Sequence, residues 1–242
     1  MYKSYIEILV IILFFIIFFK SNLGKEYNKE NLVNKNITIR IITLCTPNYD
    51  KIGCYGANSL KYYCNKHNYK FSLYRKKKIH DLHINFSKNA IIIDACKKFN
   101  EDYIVCVDSD IIIKNYNKKL ESIFTPGKIL YGPKDVWIKG TKGNSIINAG
   151  FIIWKNCERT IELNKKWLSF ARNECKKWSD KHPRQQNVFD KCLYKLIKKD
   201  EIEYLDHNLV GVPYSTFIQQ NKKPKIGWEK IGKPNYKICM LK

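Results

Sequence analysis

Apolar positions along the chain change spacing in a regular order. "ITIRIITLC", Ile37 to Cys45, reads as a strand, and "TPNYDKIG" supplies turn chemistry after it. "YGANSLKYYCNKHN", Tyr55 to Asn68, reads as a helix, and "YKFSLYR", Tyr69 to Arg75, as a second strand, which makes a β-α-β opening. A helix "FSKNAIIIDACKKF", Phe86 to Phe99, then leads into a long third strand, "YIVCVDSDIIIKN", Tyr103 to Asn115. Beyond it the pattern predicts a helix near Lys118 to Phe124, a strand "KILYG", an irregular loop to Ile147, a strand "NAGFIIW", and two helices around Trp167 and Phe189. Strands alternating with helices predict an α/β fold, a mostly parallel central sheet flanked by helices.

The third strand carries an anomaly. Its β-branched and aromatic run suits a strand buried on both faces, yet Asp108 and Asp110 interrupt it. On one strand, positions i and i+2 share a face about 6.6 Å apart. At an effective dielectric of about 20 the two charges repel by roughly 2.5 kcal/mol, which calls for a compensating cation. Ligands in open α/β sheets bind at the carboxyl ends of strands, and hard divalent cations take carboxylate and phosphate oxygens. A D-x-D at a strand end is thus a candidate cradle for a metal-bound diphosphate.

The N-terminus differs from the rest. Ile8 to Phe19 is unbroken apolar sequence with Lys3 before it and Lys20 and Lys25 after it, and no small-residue cleavage site follows. We read residues 1–20 as an uncleaved signal anchor, 21–36 as a polar stem, and 37–242 as the catalytic domain. Lysines on both flanks leave the orientation of the anchor undecided by charge.

Composition adds little to this picture. The 44 Lys+Arg against 22 Asp+Glu give a formal charge of +22, which favours anionic partners, but the lysines accompany Asn, Ile and Tyr throughout and read as a solvated basic surface. The nine cysteines contain no C-x-x-C pair, so no zinc ribbon or thioredoxin-type motif is indicated. Cys106 reads as a core residue, and Cys54 with Cys64 are candidates for a disulfide if the chain is lumenal. Asn36 and Asn85 begin N-x-[ST] triplets, and "RKKK", Arg75 to Lys78, reads as a solvated loop. Trp154, Trp167, Trp178 and Phe151 read as core or cleft walls, because no basic and aromatic repeat suited to nucleic acid accompanies them.

Taken together, "YGANSLKYYCNKHNY", "FSKNAII", "YIVCVDSDIIIKN", "NAGFIIWKN" and "RQQNVFDK" resemble GT-A-fold glycosyltransferases, most closely the retaining galactosyl- and xylosyltransferases of the fungal galactomannan and plant xyloglucan type. The glycogenin and bacterial lipopolysaccharide galactosyltransferase group is similar but more distant. The resemblance spans roughly Ile37 to Leu193 and implies a GT-A fold, a nucleotide-diphosphate sugar donor such as a UDP-sugar or GDP-sugar, and a glycan or glycoconjugate acceptor. It implies that Thr43 to Thr46, with Cys45 among them, hold the base, that Lys88 lies near the phosphates or ribose, that Asp108 and Asp110 ligate Mn²⁺ or Mg²⁺ on the diphosphate, and that Ser109 between them belongs to the donor site. Asp135 and Asn148 would hold sugar hydroxyls, and Gln185 and Gln186 would lie beneath the anomeric carbon.

The sequence departs from this family twice. Gln185 stands where an acid is usual, and Gly227 in "GWEKIGKPN" stands where a third metal ligand, a histidine, is usual, leaving His207 as a substitute. With the amide of Gln186 at the place of the nucleophile that the resemblance implies, no carboxylate matches that position, which points to a front-face route to retention. An endoplasmic reticulum or Golgi enzyme with a lumenal catalytic domain follows from the anchor. Two other readings compete: a basic, two-metal nucleic-acid enzyme, which needs more converging acids, and a non-catalytic carbohydrate-binding relic, which the two departures would suit.

Overall fold

The computed structural model describes residues 37–136, 146–211 and 213–220. The anchor, the stem, Asn36 and the segment around Gly227 lie outside them, and among the described residues no helix is long and apolar enough to cross a membrane.

Strands β1 (Ile39–Leu44), β2 (Lys70–Tyr74), β3 (Tyr103–Asp108), β5 (Leu130–Pro133), β6 (Phe151–Lys155) and β7 (Ile202–Leu205) form a sheet of order β2-β1-β3-β6-β5-β7. Pairs β1–β2, β1–β3 and β5–β7 are parallel, whereas β6 runs antiparallel to both β3 and β5. A two-stranded sheet joins β4 (Ile111–Ile113) to β8 (Ile218–Gln220). The helices are α1 (Asp50–His67), α2 (Ser87–Lys98), α3 (Glu158–Arg172), α4 (Lys176–Ser179) and α5 (Gln185–Lys191).

Both faces of the sheet are covered, which explains the unbroken apolar runs. Ile104 and Cys106 of β3, with Ile152 and Trp154 of β6, pack with Ile91, Ile92 and Ala95 of α2 and Trp167 of α3. Their neighbours Tyr103, Val105 and Val107, with Phe151 and Ile153, face the other way onto Leu60, Tyr63 and Cys64 of α1 and onto β4 and β8. Fully burying one such large side chain contributes about 1.5–3 kcal/mol. Because α1 and α2 cover opposite faces, the strand order reverses direction between β1 and β3, and a crevice opens there at the carboxyl ends of those strands.

Several expectations are corrected. The third strand ends at Asp108; Ser109 and Asp110 form a turn, and Ile111–Ile113 belongs to the second sheet. The turn is seated by α1, where a Cβ on Gly56 would fall 2.0 Å from the Ser109 carbonyl oxygen and 2.7 Å from that of Ile111. Only glycine lets the helix backbone approach so closely. Residues 118–124 hold a 3-10 turn, Leu120–Ser122, instead of a helix, and β7 and β8 lie beyond the last element that the pattern predicts. The "NAGF" strand begins only at Phe151.

The cysteines also differ from expectation. Cys64 is a free buried thiol and Cys54 is disulfide-bonded, so the two are not joined; Cys175 and Cys192 form a disulfide that closes the segment carrying α4 and α5. For a separation of 17 residues such a link is worth about 3 kcal/mol in the chain-entropy account. Arg75 is no free loop cation, since it donates to the Cys45 carbonyl at 2.7 Å and pairs with Asp50 at 2.7 Å.

Candidate active site

The crevice is a cleft of about 580 Å³. Its floor is the D-S-D turn, where Asp108, Ser109 and Asp110 all line it. Asp108 is positioned by its backbone N–H, which donates to the Gly150 carbonyl at 2.8 Å. Lys88, in the first turn of α2, donates from Nζ to Asp108 Oδ1 at 2.6 Å and to the Ala149 carbonyl at 2.9 Å. That ammonium is the cation the two carboxylates require.

It compensates Asp108 more than Asp110. Asp110 is 8% exposed, and its Oδ1 is buried with no hydrogen-bond partner. Burial, followed by the field of Asp108, pushes its carboxyl up to about 7, against the pull of Lys88 and a hydrogen bond from Gln220. An oxygen left without a partner beside a second carboxylate is a donor set suited to a hard divalent cation, so the residues present fit Mn²⁺ or Mg²⁺. Among the described residues no group of three or more His, Cys, Asp or Glu gathers to hold a metal. His207 does not line the cleft; its ring packs edge-on against Tyr214, and Ser215 donates to its carbonyl.

The opposite wall is built of amides. Gln186 Oε1 accepts from the Ala149 N–H at 3.3 Å, and its Nε2 donates to Asp135 Oδ2 at 3.3 Å, so Asp135, 2% exposed, lies behind it. Asn148 Oδ1 accepts from the Gly150 N–H at 2.8 Å, while its Nδ2 donates to the Gly211 carbonyl at 2.9 Å and to Gln220 Oε1 at 3.4 Å. A Cβ on Gly150 would fall 2.9 Å from Asn148 Oδ1 and 3.3 Å from Asp108 Oδ2, so this glycine keeps the two walls close.

Gln185 is the end of a buried relay. Asn164 Nδ2 donates to the Thr160 carbonyl at 2.9 Å, Asn89 Nδ2 donates to Asn164 Oδ1 at 3.0 Å, and Gln185 Nε2 donates to Asn89 Oδ1 at 2.8 Å. A backbone carbonyl only accepts, so it sets the direction of every amide in the series. Gln185 Oε1 is left without a partner, on a residue that lines the cleft. At the end of such a relay an acid would set its carboxylate against Asn89 Oδ1, which accounts physically for a glutamine at this position.

The structure therefore brings together Lys88, Asp108, Ser109, Asp110, Gln185 and Gln186 in the cleft lining, with Asp135 and Asn148 directly behind. Thr43 and Cys45 are fully buried off the cleft, because strand alternation turns them inward; Cys45 Sγ lies against Asp50 and beneath Gly53. Burial pushes that thiol up. Their neighbours Leu44 and Thr46, with Tyr49, line the cleft instead. Asn85 also lines it, and Ser87 of its triplet is buried, accepting from the Lys78 and Ile79 N–H groups, so that triplet is not displayed on a free loop. Gln220, His83, His182 and Arg184 are lining residues that sequence reading missed. Gln220 sits on a three-residue strand too short to show a period.

A parallel-led sheet with paired carboxylates at a strand's carboxyl end, facing a wall of amides, is an α/β cleft suited to a diphosphate on one side and a hydroxyl-rich group on the other. Residues 92–236, more than half of the chain, match the nucleotide-diphospho-sugar transferase model, and the chain belongs to that family. It is accordingly a glycosyltransferase that draws on a nucleotide-diphosphate sugar, and the nucleic-acid reading is set aside.

No curated protein sequence matches the chain. Its fold is similar to that of a glycosyltransferase involved in the glycosylation of the major capsid of PBCV-1, with a TM-score of 0.62 at 18% identity over 78% of this chain and 94% of that one. It is also similar to the glycosyltransferase GlyE of Streptococcus pneumoniae TIGR4, with a TM-score of 0.47 at 15% identity over 72% of this chain and 46% of that one. An active-site variant of LgtC gives a TM-score of 0.47 at 12% identity over 79% of this chain and 93% of that one.

Proposed function

We propose that this enzyme transfers a hexosyl or pentosyl group from a UDP-sugar or GDP-sugar to a glycan or glycoconjugate, with a divalent cation and with retention of anomeric configuration, as the galactosyl- and xylosyltransferases do whose motifs it resembles. The observation that supports this most directly is Asp110, a buried carboxylate with one oxygen unsatisfied beside a second carboxylate. Asp108 and Asp110 would hold Mn²⁺ or Mg²⁺, which when bound supplies Lewis acidity toward the departing diphosphate.

The chain's own groups do the rest. Lys88 reaches Asp108 and the Ala149 carbonyl, and its ammonium neutralises phosphate oxygens as the bond to the sugar breaks. Tyr49 and Thr46, at the exit of β1, border the base. Asp135 and Asn148 orient the sugar through Gln186 and the Gly150 turn, and Gln185 Oε1 accepts a hydroxyl. Gln186 stands where a nucleophile would act, and an amide is a poor one, so retention follows the front-face route in which the leaving phosphate takes the acceptor's proton. The same reading includes an anchor at residues 1–20 and a lumenal domain in the endoplasmic reticulum or Golgi, an oxidising setting that suits the Cys175–Cys192 disulfide.

Calorimetric titration with UDP- and GDP-sugars, with and without Mn²⁺, tests this. Donor affinity should rise at least about tenfold with the metal, and Asp108→Asn should lower product formation by about a thousandfold, several kcal/mol of transition-state stabilisation. Equal binding without metal, together with an active Asp108→Asn enzyme, would sink the proposal.

A further inference from the structure

The chain has five arginines, and four of them are committed to ion pairs: Arg40 with Glu101, Arg75 with Asp50, Arg159 with Glu201 and Arg172 with Asp81. The fifth, Arg184, makes no side-chain hydrogen bond or ion pair among the described residues, and it lines the cleft. Its backbone lies at φ 45°, ψ −93°, a region that side-chain-bearing residues rarely adopt. Such conformations cost about 1–3 kcal/mol and persist where the surroundings impose them, usually at sites with a task. A half-buried guanidinium with its donors unused, held at that cost on a cleft wall, is configured to receive carboxylate or phosphate oxygens.

Two imidazoles accompany it. His83 and His182 line the same cleft. His83 Nδ1 accepts the Asn85 N–H at 3.3 Å, which leaves the proton of the neutral ring on Nε2 as a donor. Burial, and then the fields of Arg184 and Lys77, hold its pKa below the usual histidine value, against a smaller opposing pull from Asp180.

This wall is separate from the diphosphate end. Among the described residues no hydrogen bond or ion pair joins Arg184, His83 or His182 to Asp108, Asp110 or Lys88; Lys88 reaches Asp108 and the Ala149 carbonyl, and His83 Nδ1 the Asn85 N–H. Asp81, two residues before His83, is taken by Arg172 at 2.7 Å. We propose that Arg184, with His83 and His182, forms an anion subsite for the acceptor, so that the sugar passes to a glycan carrying a phosphate or carboxylate near the receiving hydroxyl. This rests on the glycosyltransferase reading of the cleft and specifies its acceptor class.

The test measures binding without turnover, which keeps it independent of the metal and of retention. Glucose, glucuronate and glucose 6-phosphate are titrated into the full-length protein saturated with UDP. Both charged sugars should bind at least about tenfold tighter than glucose, the effect of one charge-assisted contact. Which of the two binds tighter distinguishes a carboxylate acceptor from a phosphorylated one. Arg184→Gln should erase the preference, Arg184→Lys should restore part of it, and His83→Gln, which leaves the strained backbone untouched, should reduce it several-fold. Equal affinity for all three sugars, or a preference that survives Arg184→Gln and His83→Gln, overturns the proposal. So does a charged sugar that competes with UDP, because the arginine would then serve the donor's own phosphates. Failure of metal-dependent transfer would appear instead in the product analysis of Asp108→Asn, leaving these titrations to stand or fall alone.

Discussion

The two walls of the cleft solve different problems with different chemistry. The wall built from β3 and α2 is ionic, with Asp108, Asp110 and Lys88, whose Nζ lies 2.6 Å from Asp108 Oδ1. The wall built from the start of β6, from β8 and from α5 is neutral, with Asn148, Gln185, Gln186 and Gln220. A nucleoside diphosphate brings charge and needs an ionic partner; a sugar brings hydroxyls, which amides bind without carrying a desolvation cost as large as that of a charge. The comparison also shows where stability is given up. The ionic wall keeps a buried carboxylate with an unsatisfied oxygen and its pKa pushed up to about 7, whereas in the amide wall Gln185 Oε1 is the buried amide oxygen left without a partner among the described residues.

The largest test of this contrast is Asp110→Asn. Turnover measured by mass spectrometry of products should fall by about a thousandfold. Denaturant unfolding should show a protein at least as stable as the wild type, because a buried charge beside a like charge has been removed. A stability loss would mean that Asp110 is a structural ion-pair member and not a site carboxylate.

Next in size is Gly56→Ala, which leaves every polar group of both walls in place. Its Cβ would meet the Ser109 carbonyl at 2.0 Å, so overpacking should cost roughly 2–3 kcal/mol in denaturant unfolding and shift the D-S-D turn. Gln185→Glu probes the amide wall: a carboxylate facing Asn89 Oδ1 should destabilise by roughly 1–3 kcal/mol, and donor affinity should fall with it. If Gln185→Glu is instead neutral, the relay direction set by the Thr160 carbonyl is wrong.

The smallest effect lies outside the cleft lining. The Arg159 guanidinium, through its hydrogen bonds, holds the Glu201 carboxyl below its ordinary value of 4.5. A depressed carboxylate pKa contributes stability that is fully present above the ordinary value and is lost as pH falls through the folded-state value. Unfolding free energy measured from pH 7 down to pH 3 should thus decline by up to about 1 kcal/mol from this pair, and Glu201→Gln should flatten that part of the curve.

Much of the scaffold was legible because it repeats a period. The alternation of strands and helices, the parallel pairing of β1, β2 and β3, and the two-sided burial of β3 all follow from runs of apolar residues long enough to read. The D-x-D was legible as chemistry out of place in such a run, and the QQ pair only through the family resemblance. What could not be read was short or contingent: β7 and β8 span four and three residues, and the break at Ser109 depends on a helix that packs against it from 53 positions earlier in the chain. The base-binding assignment to Thr43 and Cys45 failed to reach the cleft because one residue of strand register turns a side chain from crevice to core.

The amino-acid sequence by itself determined the layers and the strand that carries the two acids, since local period and residue type already encode burial and charge; the class of reaction was legible only through the resemblance of its motifs to a family. Only the tertiary structure decided which cation meets which carboxylate, which amide oxygen is left to accept, and that Arg184 is the arginine without an ion pair among the described residues. Those outcomes are sums over partners from distant parts of the chain, and no stretch of sequence contains its own partners.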